Sequence, residues 1–194
     1  MNLPNKLSLL RMVLVPVFMI VLALPASVMP LWLSAVIGTV IFIVASITDC
    51  LDGKIARKYN LITDFGKLID PLADKFMVIG ALIMILYRAS MFRPFFAVAL
   101  TVVVFRELAV TAMRLITASK SGVAVPANML GKIKTVAQIV FVIAALVEPL
   151  WYPADFVLAG ILPLTMLSGA VMSVFTVWSG INYIVALWKY IETK

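Results

Sequence analysis

The sequence predicts an all-α integral membrane protein with six transmembrane helices, and three observations carry that reading. Of 194 residues, 64% are hydrophobic and 13% charged, with a mean hydropathy of +1.13, a balance unlike that of a water-soluble domain. Long stretches carry no charge, and lipid accepts only segments of about 20 apolar residues whose backbone groups are satisfied within a helix. With the N-terminus in the cytoplasm, only Arg88 and Arg93 of the 16 lysines and arginines fall outside, as the positive-inside rule requires.

The elements follow in order. Met12 to Thr48 holds no charge and is interrupted only by Pro25 to Pro30, a turn between two helices, which gives spans over Leu7–Leu24 and Leu31–Asp49. Lys6 and Arg11 ahead of the first apolar run imitate a signal peptide. Five further spans and a poor cleavage signal around Ala26 favour a retained helix. The next uncharged runs, 76–87, 94–105 and 135–147, are only 12 or 13 residues long. At about 1.5 Å per residue none crosses a core of about 30 Å, so each must extend into charged neighbours. The extended spans are Asp70–Tyr87, Pro94 to about Ala118, and Gly131–Leu150. They place Asp70, Asp74, Lys75, Arg106, Glu107, Arg114, Lys132 and Lys134 at helix ends near the membrane surface. The last run, Phe156–Trp188, contains Pro163, Gly160, Gly169 and Gly180 and allows one tilted span with a short outer segment. Both termini then lie in the cytoplasm, and residues 1–194 form one membrane domain.

Composition also limits the chemistry. There is no histidine and one cysteine, Cys50, which excludes an imidazole base, a His/Cys zinc site and an intrachain disulfide. The net charge of +7 fits anionic headgroups and topology better than nucleic acid.

Five of the nine acidic residues, Asp49, Asp52, Asp64, Asp70 and Asp74, crowd into one short stretch. On a helix continuing from the second span, Asp49, Asp52, Gly53 and Ala56 share a face, and Asp70 and Asp74 share one on the next helix. A hairpin brings four carboxylates together at the cytoplasmic boundary, where they repel one another unless positive charge lies between them. Oxygen ligands without His or Cys select Mg²⁺, Mn²⁺ or Ca²⁺, and four carboxylates suit a pair of ions. Structural alternatives stand beside this one. Asp70 before Pro71 also suits a helix N-cap, Asp49 and Asp52 could pair with Arg57 and Lys54, and Gly53 and Ala56 also fit close helix packing.

The pattern Asp49-x-x-Asp52-Gly53-x-x-Ala56-Arg57, eight residues, then Gly66-x-x-x-Asp70-x-x-x-Asp74 resembles the signature of the CDP-alcohol phosphatidyltransferases at every fixed position. Leu3-Pro4-Asn5 with Arg11, Asp70 to Lys75, Arg106-Glu107 and Gly131 to Lys134 resemble the branch that uses glycerol 3-phosphate as acceptor. The resemblance implies two divalent cations, Mg²⁺ or Mn²⁺, held by Asp49, Asp52, Asp70 and Asp74, with Asp74 also accepting the proton of the incoming hydroxyl. It implies a CDP-diacylglycerol site at Asn5, Gly53, Ala56, Arg57 and Thr63, a homodimer, and residence in a bacterial cytoplasmic membrane.

The acceptor is expected to be anionic, because Lys75, Arg106, Arg114, Lys132 and Lys134 gather near the site with only Glu107 opposing them. Ordinary positive-inside anchoring is the other reading of that cluster. Tyr183, with Trp178 and Trp188, reads as lipid-facing or packing. Within the family, serine, inositol phosphate or phosphatidylglycerol are rival acceptors. An ion transporter, whose path intramembrane carboxylates also mark, is the rival from another class. Acidic residues confined to one boundary rather than the midplane count against it.

Overall fold

The computed structural model describes residues 2–59, 63–89, 93–121, 129–152 and 162–192, without the side chains of Lys54, Ala56–Lys58, Asp64, Phe65, Lys67, Leu68, Ala118–Ser121 and Lys189–Glu192. Among these residues six long helices run α1 Leu3–Ala23, α2 Leu31–Lys58, α3 Asp64–Arg88, α4 Arg93–Ser121, α5 Met129–Val147 and α6 Pro163–Glu192, with one 3-10 turn at Glu148–Leu150. All except α3 contain a segment long and apolar enough to cross a membrane. The 25 residues of α3 are also long enough, at about 1.5 Å each, but its first half carries charge.

Local chemistry accounts for the boundaries. Proline at the first turn of α1 costs no hydrogen bond, since the first N–H groups of a helix have no partner within it. The Pro25 turn follows, with the Pro25 carbonyl accepting from Val28 and Met29 at 2.9 and 3.1 Å. The second helix runs on past the apolar segment to Lys58, so Asp49, Asp52 and Gly53 do lie on a continuation of the second span. The third helix starts six residues before the expected Asp70. Its N-cap is Thr63, whose Oγ1 accepts from the Gly66 N–H at 3.0 Å, and Pro71 lies inside the helix. The N-cap reading of Asp70 is therefore corrected, and its carboxylate is left for other work. Pro163 opens α6 rather than breaking the last apolar run. Asp155 and the rest of the outer segment before it lie outside the described residues.

The helices form two groups of three. α1 packs on α2 and α3, while α6 packs on α4 and α5; α3 against α4 and α5, and α2 against α5, join the groups. Phe18 meets Phe42 at 6.0 Å between ring centroids, and Phe96 meets Phe141 at the same distance. Met77, Ala81, Val103, Val142 and Met172 fill the space between. Large apolar side chains such as Ile20, Val40, Phe105, Leu108, Val174 and Val185 face outward, while Arg11, Asp52, Glu107, Lys134, Gln138 and Glu148 are buried. Apolar side chains on the outside, with the ionisable ones turned inward, are the arrangement lipid imposes.

Candidate active site

Polar side chains at one end of the bundle form two linked clusters. The first is built where the start of α1 meets the end of α2 and the start of α3. Asn5, Ser8 and Arg11 repeat at three-residue intervals on α1, all buried, with Arg11 wholly enclosed. Arg11 Nη1 pairs with Asp49 Oδ1 at 2.6 Å, and its Nη2 donates to Asp52 Oδ2. Ser8 Oγ donates to Asp70 Oδ1 and lies 3.5 Å from Asp52 Oδ2. Three carboxylates from two helices therefore each turn one oxygen to α1. The described cation partner of Asp49 and Asp52 is Arg11, from a different helix; the expected pairing with Arg57 and Lys54 falls on side chains outside the described ones.

A second contact joins the starts of α1 and α3. Thr63 Oγ1 donates to Asn5 Oδ1 at 3.0 Å while accepting from Gly66 N at the same distance. A Cβ at Gly66 would stand 2.9 Å from Asn5 Oδ1 and 3.2 Å from Thr63 Oγ1, so only glycine admits this approach. Asn5 and Thr63, two of the five residues expected at the CDP-diacylglycerol site, thus tie the start of α3 to α1. Gly53 lies on α2 one residue beyond Asp52; the side chains of Ala56 and Arg57 lie outside the described ones.

Asp74, one turn along α3 from Asp70, joins the clusters. The charges that act on it are Asp49 and Arg11 from the first, and Lys134 and Glu107 from the second. In the second cluster Glu107 Oε1 accepts from Lys134 Nζ and, at 3.1 Å, from Arg106 Nη1. Arg106 Nη2 also donates to Ser179 Oγ at 2.6 Å, and Arg114 Nη2 donates to the Tyr183 hydroxyl at 2.9 Å. Lys75 Nζ donates to Thr111 Oγ1 at 2.6 Å, and Lys132 is exposed. The five basic residues expected near the acceptor therefore separate: Arg106, Arg114 and Lys134 belong to one buried network, Lys75 borders it, and Lys132 faces outward. Tyr183 packs inside the bundle, one of its two expected readings, and does not face lipid. It is buried, with the guanidinium carbons of Arg106 and Arg114 at 5.5 and 4.8 Å from its ring centroid.

Two participants had not been assigned to the site from sequence, Arg11 and Ser8. Their signal was present: polar residues at positions 5, 8 and 11 form a stripe on a helix that, Lys6 aside, is apolar to its end. Glu148 was also missed. Its carboxylate accepts from Leu164 and Thr165 N–H at 2.8 and 2.6 Å and so caps α6 from another helix.

The donor set suits a hard divalent ion, being aspartate oxygen without His or Cys. The α1 contacts use Oδ1 of Asp49, Oδ2 of Asp52 and Oδ1 of Asp70, leaving the other oxygen of each outside them. Among the described residues no three acidic side chains already form a finished cation cage, and Arg11 is the positive charge between Asp49 and Asp52.

A relative from Bacillus subtilis named CDP-diacylglycerol–glycerol-3-phosphate 3-phosphatidyltransferase is 42% identical, with 100% of this chain and 98% of the relative aligned. A protein of the same name from Salmonella paratyphi A is 35% identical over 95% of this chain and 94% of its own length. Another from Rickettsia felis is 37% identical over 71% and 70%. The CDP-alcohol phosphatidyltransferase profile matches residues 1–188, which include every residue of both clusters. By that match and by the aspartates its second and third helices bring together, the chain belongs to the CDP-alcohol phosphatidyltransferase family.

Proposed function

We propose that this protein is a phosphatidylglycerophosphate synthase: it transfers the phosphatidyl group of CDP-diacylglycerol to glycerol 3-phosphate and releases CMP. The observation that carries the reading is a carboxylate cluster, Asp49, Asp52 and Asp70, at the same end of the bundle as a cluster in which Arg106, Arg114 and Lys134 outnumber Glu107. The first suits a diphosphate held through cations, and the second suits an acceptor that brings its own phosphate. The names of the relatives point to the same pair of substrates.

In this reading Asp49, Asp52, Asp70 and Asp74 hold two divalent cations, Mg²⁺ or Mn²⁺. When bound, these neutralise the diphosphate and polarise the phosphorus. Gly53 and Ala56 keep the α2 surface low for the nucleotide, and Arg57 reaches its phosphates. Asp74 accepts the acceptor's hydroxyl proton late in the transfer, as the new O–P bond forms and the bond to the CMP oxygen breaks. No side chain of the protein forms a covalent intermediate. The third helix is the sixth span, its charged first half at the cytoplasmic surface, and both termini are cytoplasmic in a bacterial inner or plasma membrane. Two copies associate as a homodimer, as the family likeness implies.

The test is CMP release from CDP-diacylglycerol by the purified protein, with glycerol 3-phosphate, serine, inositol phosphate and phosphatidylglycerol offered side by side. Preference for glycerol 3-phosphate, lost on chelation and in Asp74→Asn, is the expected result. Preference for an uncharged alcohol, or no turnover with any acceptor, would overturn it.

A further inference from the structure

The two guanidinium groups proposed to meet the acceptor phosphate are not held by α4 alone. Arg106 and Arg114 lie on α4, yet their described side-chain partners beyond Glu107 come from one face of α6: Ser179, which accepts from Arg106, and Tyr183, which accepts from Arg114 and lies against both cations. Gly180 completes the seat. A Cβ there would come within 3.1 Å of Arg106 Cγ. Tyr183 itself is 3% exposed and Ser179 wholly buried, so this face of α6 gives a fixed platform.

What the platform leaves uncovered indicates its use. Arg106 shares Glu107 with Lys134, whereas Arg114 has no carboxylate paired with it among the described residues and is held by a neutral phenol. The Nε groups of both arginines are buried without a hydrogen-bond partner. An arginine fork offers five N–H donors in a plane, and fixing that plane against a ring reduces the rotamer freedom lost when an anion binds.

We propose that Tyr183 and Ser179 are positioning residues for acceptor recognition: from the last helix they fix the forks of Arg106 and Arg114 for a phosphomonoester dianion. This rests on the reading that glycerol 3-phosphate is the acceptor. Neither residue touches the donor cluster on α1, α2 and α3 in any described contact, so the effect of replacing them falls on one substrate.

Steady-state kinetics of Tyr183→Leu, Tyr183→Phe and Ser179→Ala in detergent micelles test this, with inorganic phosphate as a competing anion. Tyr183→Leu removes ring and hydroxyl and raises KM for glycerol 3-phosphate about tenfold; Tyr183→Phe and Ser179→Ala each lose one hydrogen bond and raise it about threefold. The inhibition constant for phosphate rises in parallel, and KM for CDP-diacylglycerol stays within about twofold. If Tyr183→Leu does not fold, the other two variants carry the test. Unchanged acceptor KM in folded variants, or equal rises for both substrates, overturns the proposal while the wild type still turns over glycerol 3-phosphate. A wild type inactive with glycerol 3-phosphate removes the underlying functional reading itself, and this inference with it.

Discussion

Replacing Arg11 by methionine removes the one cation described between Asp49 and Asp52 while keeping a long apolar stem in its place. The Arg11 side chain is 0% exposed and that of Asp52 5%, so the partner stranded by the change cannot be rehydrated in place. Breaking a buried ion pair from one side costs about 3–5 kcal/mol. The Asp49 side chain is 38% exposed, so solvent takes over its share and it adds nothing to that figure. Arg11→Met should therefore lose about 3–5 kcal/mol in reversible unfolding in mixed micelles. Asp52→Asn in the same background should recover much of this, because the stranded charge is gone, giving a coupling of about 2 kcal/mol or more in a double-mutant cycle. Arg11→Met within about 1 kcal/mol of the parent, or a double variant whose losses simply add, would refute the argument that α1 holds the aspartates by charge.

Four further outcomes are expected. Asp74→Asn should abolish CMP release while the thermal transition stays near that of the parent, as paired activity and melting measurements will record. Asp49→Ala and Asp70→Ala should each reduce metal-dependent turnover by at least about a hundredfold, read as activity titrated with Mg²⁺ and Mn²⁺. Gly66→Ala drives a methyl against Asn5 Oδ1, so it should break the Asn5–Thr63 bond and cost about 1–3 kcal/mol in the same unfolding assay. Glu148→Ala uncaps α6 at Leu164 and Thr165 and should cost about 1–3 kcal/mol, with KM for both substrates unchanged in kinetics below the melting range.

What the sequence made legible was periodic. Uncharged runs located the helices, and the three- and four-residue spacing of Asp49, Asp52, Asp70 and Asp74 put the carboxylates on facing stripes. Pairings across long separations were not legible, because periodicity within a segment says nothing about which segment lies opposite. Arg11 meets Asp52 across 41 residues and Arg114 meets Tyr183 across 69. Read alone, Arg11 is one more positive-inside charge and Tyr183 one more membrane aromatic. Thr63 was missed as a cap because Asp70-Pro71 offers the same local signal seven residues later, and only the continuous helix from Asp64 decides between them. Glu148 carries no periodic signal, and its role shows only where the start of α6 stands against it.

The division of the bundle into α1–α3 and α4–α6 has a consequence for how such a catalyst can diversify. On the proposed reading, donor handling falls to the first triplet and anion recognition to the second, with Asp74 serving both. Chimeras exchanging everything after Arg88 should therefore inherit the choice of alcohol from the C-terminal parent and the requirement for a nucleotide-activated lipid from either, so new headgroups can arise without rebuilding the leaving-group chemistry.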